Sequence, residues 1–158
     1  MAAKKIAKKT VKPIPRGYRT VTASLNQTDA RATIAFCKKA FGAKLRGGLM
    51  LGPDKKVMHS ELEIGDSVIM LSDSVREPAR VASLFLYVPD VDKTIAKAVK
   101  NGAKVLMPAE DQFWGDRMGR VADPFGNFWA VATHIENVRP AEMKKRAKEA
   151  AKAMKKKG

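Results

Sequence analysis

One cysteine, Cys37, and two histidines, His59 and His134, are all that 158 residues offer of thiol and imidazole. A lone thiol excludes an internal disulfide and suits a reducing compartment. Two histidines exclude a multi-histidine metal site within one chain. No apolar run approaches the roughly 20 residues that span a bilayer. The first ten residues carry lysines but no apolar stretch of the kind a secretory signal needs. A glycine-rich phosphate loop, a Ser-His-Asp order and a Cys-x-x-Cys pair are all missing. These absences point to a cytoplasmic protein. Cys37, inside the helical run from Ile34, is expected to be a buried, inert thiol.

Acidic residues are also scarce, 16 against 31 Lys and Arg, for a net charge of +15. The imbalance sits at the ends. Residues 1–12 hold five lysines and no acid, and residues 137–158 hold nine Lys or Arg against Glu142 and Glu149. The stretch 13–136 is left with only +3. The pattern predicts a basic N-terminal tail over 1–12, a folded domain over 13–138 and a basic helical tail over 139–158. Such tails can hold nucleic acid or another polyanion, and equally can be solvated ends.

Within the domain, alternation predicts a strand over 18–25, and Asp29 caps a helix over 30–41 that Gly42 stops. Strands follow at about 44–50, 57–64 and 67–71, then a polar linker over 72–80. The same order then begins again. A strand over 83–88 leads to a helix opened by Asp90 and ended by Gly102, then to strands at 104–107, 119–123 and 128–134. Residues repeat along with the elements. Asp29 and Asp90, and Ile34 and Ile95, lie 61 positions apart, while Gly42-Ala43-Lys44 returns 60 positions later as Gly102-Ala103-Lys104. A duplicated β-α-β-β-β unit, over 18–73 and 82–136, is the reading.

Residues 12–22 (KPIPRGYRTVT), 56–67 (KVMHSELEIGDS) and 112–126 (QFWGDRMGRVADPFG) carry a resemblance over about 12–138. The chain resembles the vicinal oxygen chelate superfamily of glyoxalases, bleomycin resistance proteins and extradiol dioxygenases, in particular its PhnB-like branch. The resemblance implies an α+β fold in which two tandem βαβββ units form a curved mixed-sheet cup with helices on the convex side. It also implies a homodimer. In metal-dependent relatives four strand residues hold a divalent ion that polarises vicinal oxygens. Those positions fall here at Thr22, Ser83, Met70 (or Ile69) and Ala130. Hydroxyls, a thioether and a methyl are a poor set for such an ion, so no metal and no other cofactor is expected.

Other polar residues are candidates for the pocket. His59, Glu61 and Glu63 alternate with Met58, Leu62 and Ile64, so they share one strand face. That face suits a displaced metal site, an acid–base pair, pocket lining or plain solvation. Gln112, Trp114, Asp116 and Arg117, in a segment read as a loop, can stack on and hydrogen-bond a polar organic ligand or anchor the loop itself. Arg120 is the candidate cation for an anionic group, and His134 reads as a satisfied edge residue. The expected function is binding of a small polar or aromatic metabolite. A divalent-metal lyase, isomerase or dioxygenase with a rearranged site is the alternative, and a polyanion-associated protein acting through its tails is a second.

Overall fold

The computed structural model describes residues 12–75 and 77–155, so the N-terminal lysine repeat lies outside the described residues. The elements run β1 (Ser24–Gln27), α1 (Ala30–Phe41), β2 (Lys44–Leu51), β3 (Val57–Ile64), β4 (Ser67–Asp73), β5 (Ser83–Tyr87), α2 (Val91–Lys100), β6 (Lys104–Asp111), β7 (Asp116–Ala122), β8 (Phe128–His134) and α3 (Pro140–Lys155). The fold is α+β, with two four-stranded mixed sheets ordered β1-β4-β3-β2 and β5-β8-β7-β6. In each, the first strand runs parallel to the last strand of its unit and the other pairs are antiparallel. This is the tandem βαβββ arrangement that the duplicated sequence predicts.

The repeat extends to single hydrogen bonds. Asp29 Oδ1 accepts from the Ala32 amide at 2.9 Å and Asp90 Oδ1 from the Lys93 amide at 3.0 Å. Each cap is worth about 1 kcal/mol by the usual substitution cost. One turn on, the Thr33 and Thr94 hydroxyls donate to the carbonyls of Asp29 and Asp90 at 2.9 and 2.8 Å. Gly42 closes α1 at φ 68°, in the left-handed region where a side chain is disfavoured.

Alternation decides what each sheet buries. Ser60, Leu62 and Ile64 of β3 and Ile69 and Leu71 of β4 turn toward α1, and Val121, Trp129 and Val131 of β7 and β8 turn toward α2. The helices also pack on each other, and the Phe41 ring at the end of α1 lies 4.6 Å from that of Trp129. The two units therefore share one core. A polar tie crosses it. Asn127 and Gln27 exchange side-chain amide bonds at 2.8 and 3.3 Å, and the buried Asp123 carboxylate accepts from Asn127 and from the Trp129 indole.

β4 runs to Asp73, two residues into the expected linker, and three boundaries differ by more. The strand foreseen from Tyr18 starts only at Ser24, because Tyr18 closes a turn onto the Pro15 carbonyl and the chain meets β4 first at Ala23. β6 continues past Met107 to Asp111, since an edge strand tolerates Pro108 at its irregular register. β7 begins at Asp116, not Gly119, so Asp116 and Arg117 are strand residues. The turn before them is tight. Gln112 and Gly115 bond within it, and a Cβ on Gly115, at φ 98°, would run into the Glu136 carbonyl. Among the described residues no helix is long and apolar enough to cross a membrane.

Candidate functional site

Each sheet has a helix on one face and leaves the other open. On the first sheet, the register sets Arg46 of β2, Glu61 of β3 and Met70 of β4 side by side, with Ser24 of β1 beyond them. His59 Nε2 lies 3.3 Å from Glu61 Oε1, and Arg46 Nε stands 3.7 Å from Glu61 Oε2. The Arg46 guanidinium also covers the Tyr18 ring at 5.1 Å and donates to the Arg16 carbonyl at 2.8 Å. The Tyr18 phenol holds the Glu61 carboxyl below its ordinary range, with His59 and Arg46 adding to the effect against the cost of partial burial. Glu61 is thus a carboxylate neutralised by its neighbours, with His59 at the rim of the shallow recess beside it.

The second sheet is different. Ser83, Phe85 and Tyr87 of β5 align with Phe128, Ala130 and Ala132 of β8, and Asp116, Met118 and Arg120 of β7 align with His134, Ala132 and Ala130. All stand on the open face by strand alternation. Phe85, Tyr87 and Phe128 are 53%, 60% and 46% exposed, which is unusual for three aromatics in one row. Phe85 and Tyr87 rings lie 5.0 Å apart. Arg120 sits beside them, exposed, and makes no ion pair among the described residues. Ser83, Phe85, Leu106, Arg120, Phe128 and Ala130 surround a recess of about 450 Å³. A larger hollow of about 800 Å³ lies between the end of the first sheet and the linker, but no aromatic side chain lines it.

Asp116 organises one end of this face. Only 2% exposed, its carboxylate accepts from the Tyr87 hydroxyl at 2.8 Å and the Trp114 indole at 2.9 Å, both on Oδ2. His134 Nδ1 meets Oδ1 at 2.7 Å. Burial pushes the carboxyl up, and the bonds from His134, Tyr87 and Trp114 outweigh it, so Asp116 ionises below its ordinary range. His134 is raised, first by Asn137 Oδ1 at 3.0 Å from Nε2 and then by Asp116, because acceptors at both nitrogens favour the imidazolium. The Asp116 bond raises the Tyr87 phenol likewise, so it stays protonated.

The candidate residues therefore divide. Trp114 and Asp116 meet, joined by Tyr87 and His134. Arg120 lies further along the same face. Arg117 points the other way, donating to Asp92 of α2 at 2.8 and 2.9 Å and to Asp111 at 3.0 Å. Gln112 donates to the Glu110 carbonyl at 3.2 Å within the turn. His59 and Glu61 belong to the other sheet. Sequence reasoning passed over Phe85 and Tyr87 and gave His134 an edge role. The available signal was parity, since Phe85 and Tyr87 share one strand face opposite Leu84 and Leu86.

This arrangement defines a class. The family model of the Glyoxalase/Bleomycin resistance protein/Dioxygenase superfamily matches residues 19–131, and the chain belongs to that superfamily. The Mycobacterium tuberculosis protein Rv0887c is 37% identical over 127 residues, covering 73% of this chain and 74% of its own length. TioX from Micromonospora sp. ML1 shares the fold at a TM-score of 0.63, with 23% identity over 72% of this chain and 97% of that one. The PhnB protein from Bacillus cereus superposes at a TM-score of 0.59, with 15% identity over 73% and 99% of the two chains.

The divalent ion used by metal-dependent relatives does not fit the residues present. Thr22 precedes β1 and donates its hydroxyl to the Arg19 carbonyl at 3.2 Å. Met70 and Ala130 occupy equivalent places, beside Ser24 and Phe85, and offer a thioether and a methyl. Among the described residues no three His, Cys, Asp or Glu side chains cluster as a metal would require.

Proposed function

We propose that this protein binds a small aromatic metabolite bearing an anionic group, on the open face of its second sheet and without the superfamily's usual metal. The observation that carries the reading is the exposed pair Phe85 and Phe128 lining a recess, extended by the Tyr87 ring beside Phe85, in which Arg120 has no carboxylate partner among the described residues. A planar ring gains from stacking on such a row, and the guanidinium selects an acidic substituent. Asp116, itself bonded by Trp114, holds the Tyr87 hydroxyl at the far end. The segments 12–22, 56–67 and 112–126, together with the PhnB neighbour, support placement in the PhnB-like branch.

Both open faces carry exposed apolar groups, with Met50 at 63% on the first and Leu106 at 53% on the second. Pairing of two copies that covers these faces would also deepen the recess, so a homodimer is part of the proposal. The single cysteine supports a cytoplasmic setting.

The test is a panel of aromatic carboxylates and their neutral amides, followed by thermal shift and tryptophan fluorescence on untagged protein. The reading expects carboxylates to bind and amides to bind more weakly. Arg120→Gln should remove that difference, and Trp114→Ala should weaken binding of both. A panel with no binding above background overturns it. Elemental analysis after incubation with Ni²⁺, Zn²⁺, Mn²⁺ or Fe²⁺ should find no stoichiometric metal, and one ion per chain would put the metal-dependent enzyme reading in front.

A further inference from the structure

The helix α3 is a second surface with its own chemistry. Arg146 clamps it, donating from Nη1 and Nη2 to the Glu136 carboxylate at 2.8 and 2.9 Å and from Nε to Glu142 at 2.9 Å. The clamp fixes which way the helix faces. Met143, Arg146, Ala147 and Ala150 are half-buried, while Lys144, Lys145, Lys148, Lys152 and Lys155 are exposed. At about 100° per residue, lysines 144, 148, 152 and 155 fall within an arc of about 80°, with Lys145 at its margin. The stripe runs about 16 Å along the axis at about 1.5 Å per residue. None of the five lysines takes part in an ion pair among the described residues, and both nearby carboxylates of the clamp are engaged by Arg146. Glu149, exposed beyond Lys145, is the one acid on the outer side of the helix.

We infer that this lysine stripe binds the phosphate backbone of double-stranded nucleic acid without sequence preference. A duplex presents about one negative charge per 1.7 Å, so a stripe of about 16 Å can engage several phosphates at once. Lysine supplies point charges for such contacts. The outward face has no Arg, Asn or Gln with which to read base edges. It has no aromatic ring to stack on unpaired bases. A lipid surface fits less well, because Met143, Ala147 and Ala150 turn inward and the outward stripe is made of lysines. The inference stands apart from the proposed pocket, since no residue is common to both.

The experiment is fluorescence anisotropy of a labelled mixed-sequence duplex with the full chain across a salt series. The quadruple variant K144Q/K148Q/K152Q/K155Q is compared with K144R/K148R/K152R/K155R. Each lost phosphate contact removes about 0.9 from the slope of log affinity against log salt. The Gln variant should therefore lose about 3 to 4 from the wild-type slope and bind on the order of tenfold more weakly or worse at low salt. The Arg variant should keep both. Circular dichroism and melting of all three should coincide, because the four side chains are exposed. Unchanged binding by the Gln variant overturns the inference and assigns the effect to the lysines of residues 1–12. So does an absence of duplex binding by the wild type, or stronger binding to phosphatidylserine vesicles than to the duplex.

Discussion

Asp116 is the residue whose replacement tests the most of this structure at once. Its carboxylate is almost wholly buried and accepts three bonds, from Tyr87, Trp114 and His134. Removing one acceptor from a buried donor costs about 1–3 kcal/mol. The three donors here differ in recourse. Tyr87 and His134 are more than half exposed as side chains and can turn to water, whereas the Trp114 indole is half-buried and left without a partner. Asp116→Ala should therefore destabilise by about 2–3 kcal/mol, well short of three full penalties. Asp116→Asn keeps the shape but turns one amide donor toward donors, and should cost about as much.

The assay for Asp116 is urea unfolding of both variants, with NMR titration of His134 in each. His134 should lose part of its upward shift in both variants, because Asn137 still faces Nε2. The raised His134 contributes stability that is complete below its unfolded value of about 6.5 and disappears as pH rises through the folded value. The lowered Asp116 contributes stability present above about pH 4 and lost as pH falls through its folded value. Asp116→Ala should therefore flatten the pH dependence at both ends. Stability within about 0.5 kcal/mol of wild type, together with an unmoved His134 titration, would refute the reasoning.

Three further expectations concern the scaffold. Burial first, and then the Asp123 carboxylate, push the Cys37 thiol up to about 12, so a thiol-specific reagent should label native protein at pH 8 only at the rate of unfolding. Asp123→Ala takes the acceptor from the Trp129 indole and from the Phe125 and Asn127 backbone amides, while the Asn127 side chain keeps Gln27, and should cost about 3–5 kcal/mol in denaturant melts. A loss below about 1 kcal/mol would show that the polar tie between the units is dispensable. Gly115→Ala meets both a positive φ and the Glu136 carbonyl, and should lower the melting temperature and weaken ligand binding together through displacement of Trp114.

Much of the fold was legible because its signals are local. Asp29 and Asp90 cap helices with amides three residues away, and Gly42 ends its helix through its own backbone. Those interactions recur at a fixed spacing and expose the duplication. The start of β1 was misjudged because alternation in 18–23 is satisfied by a turn and by Tyr18 stacking under Arg46, which is 28 residues away. The site was legible only in part. Trp114 and Asp116 stood out as unusual neighbours, but the partners that give Asp116 its character, Tyr87 and His134, lie 29 and 18 residues distant. Arg117 looked like their equal until strand parity turned it toward α2.

The repeat, the helices with their caps and the basic ends are written in the sequence. These depend on periodicity, on contacts within one turn and on the chemistry of single side chains. Tertiary structure alone decided which strand face stayed open and which partners met there. Register decides both, and a shift of one residue would exchange Asp116 and Arg120 for Arg117 and Gly119. Only the pairing of β7 with β8 and of β8 with β5 brings a buried carboxylate, an imidazole, a phenol and the Arg120 guanidinium onto one surface.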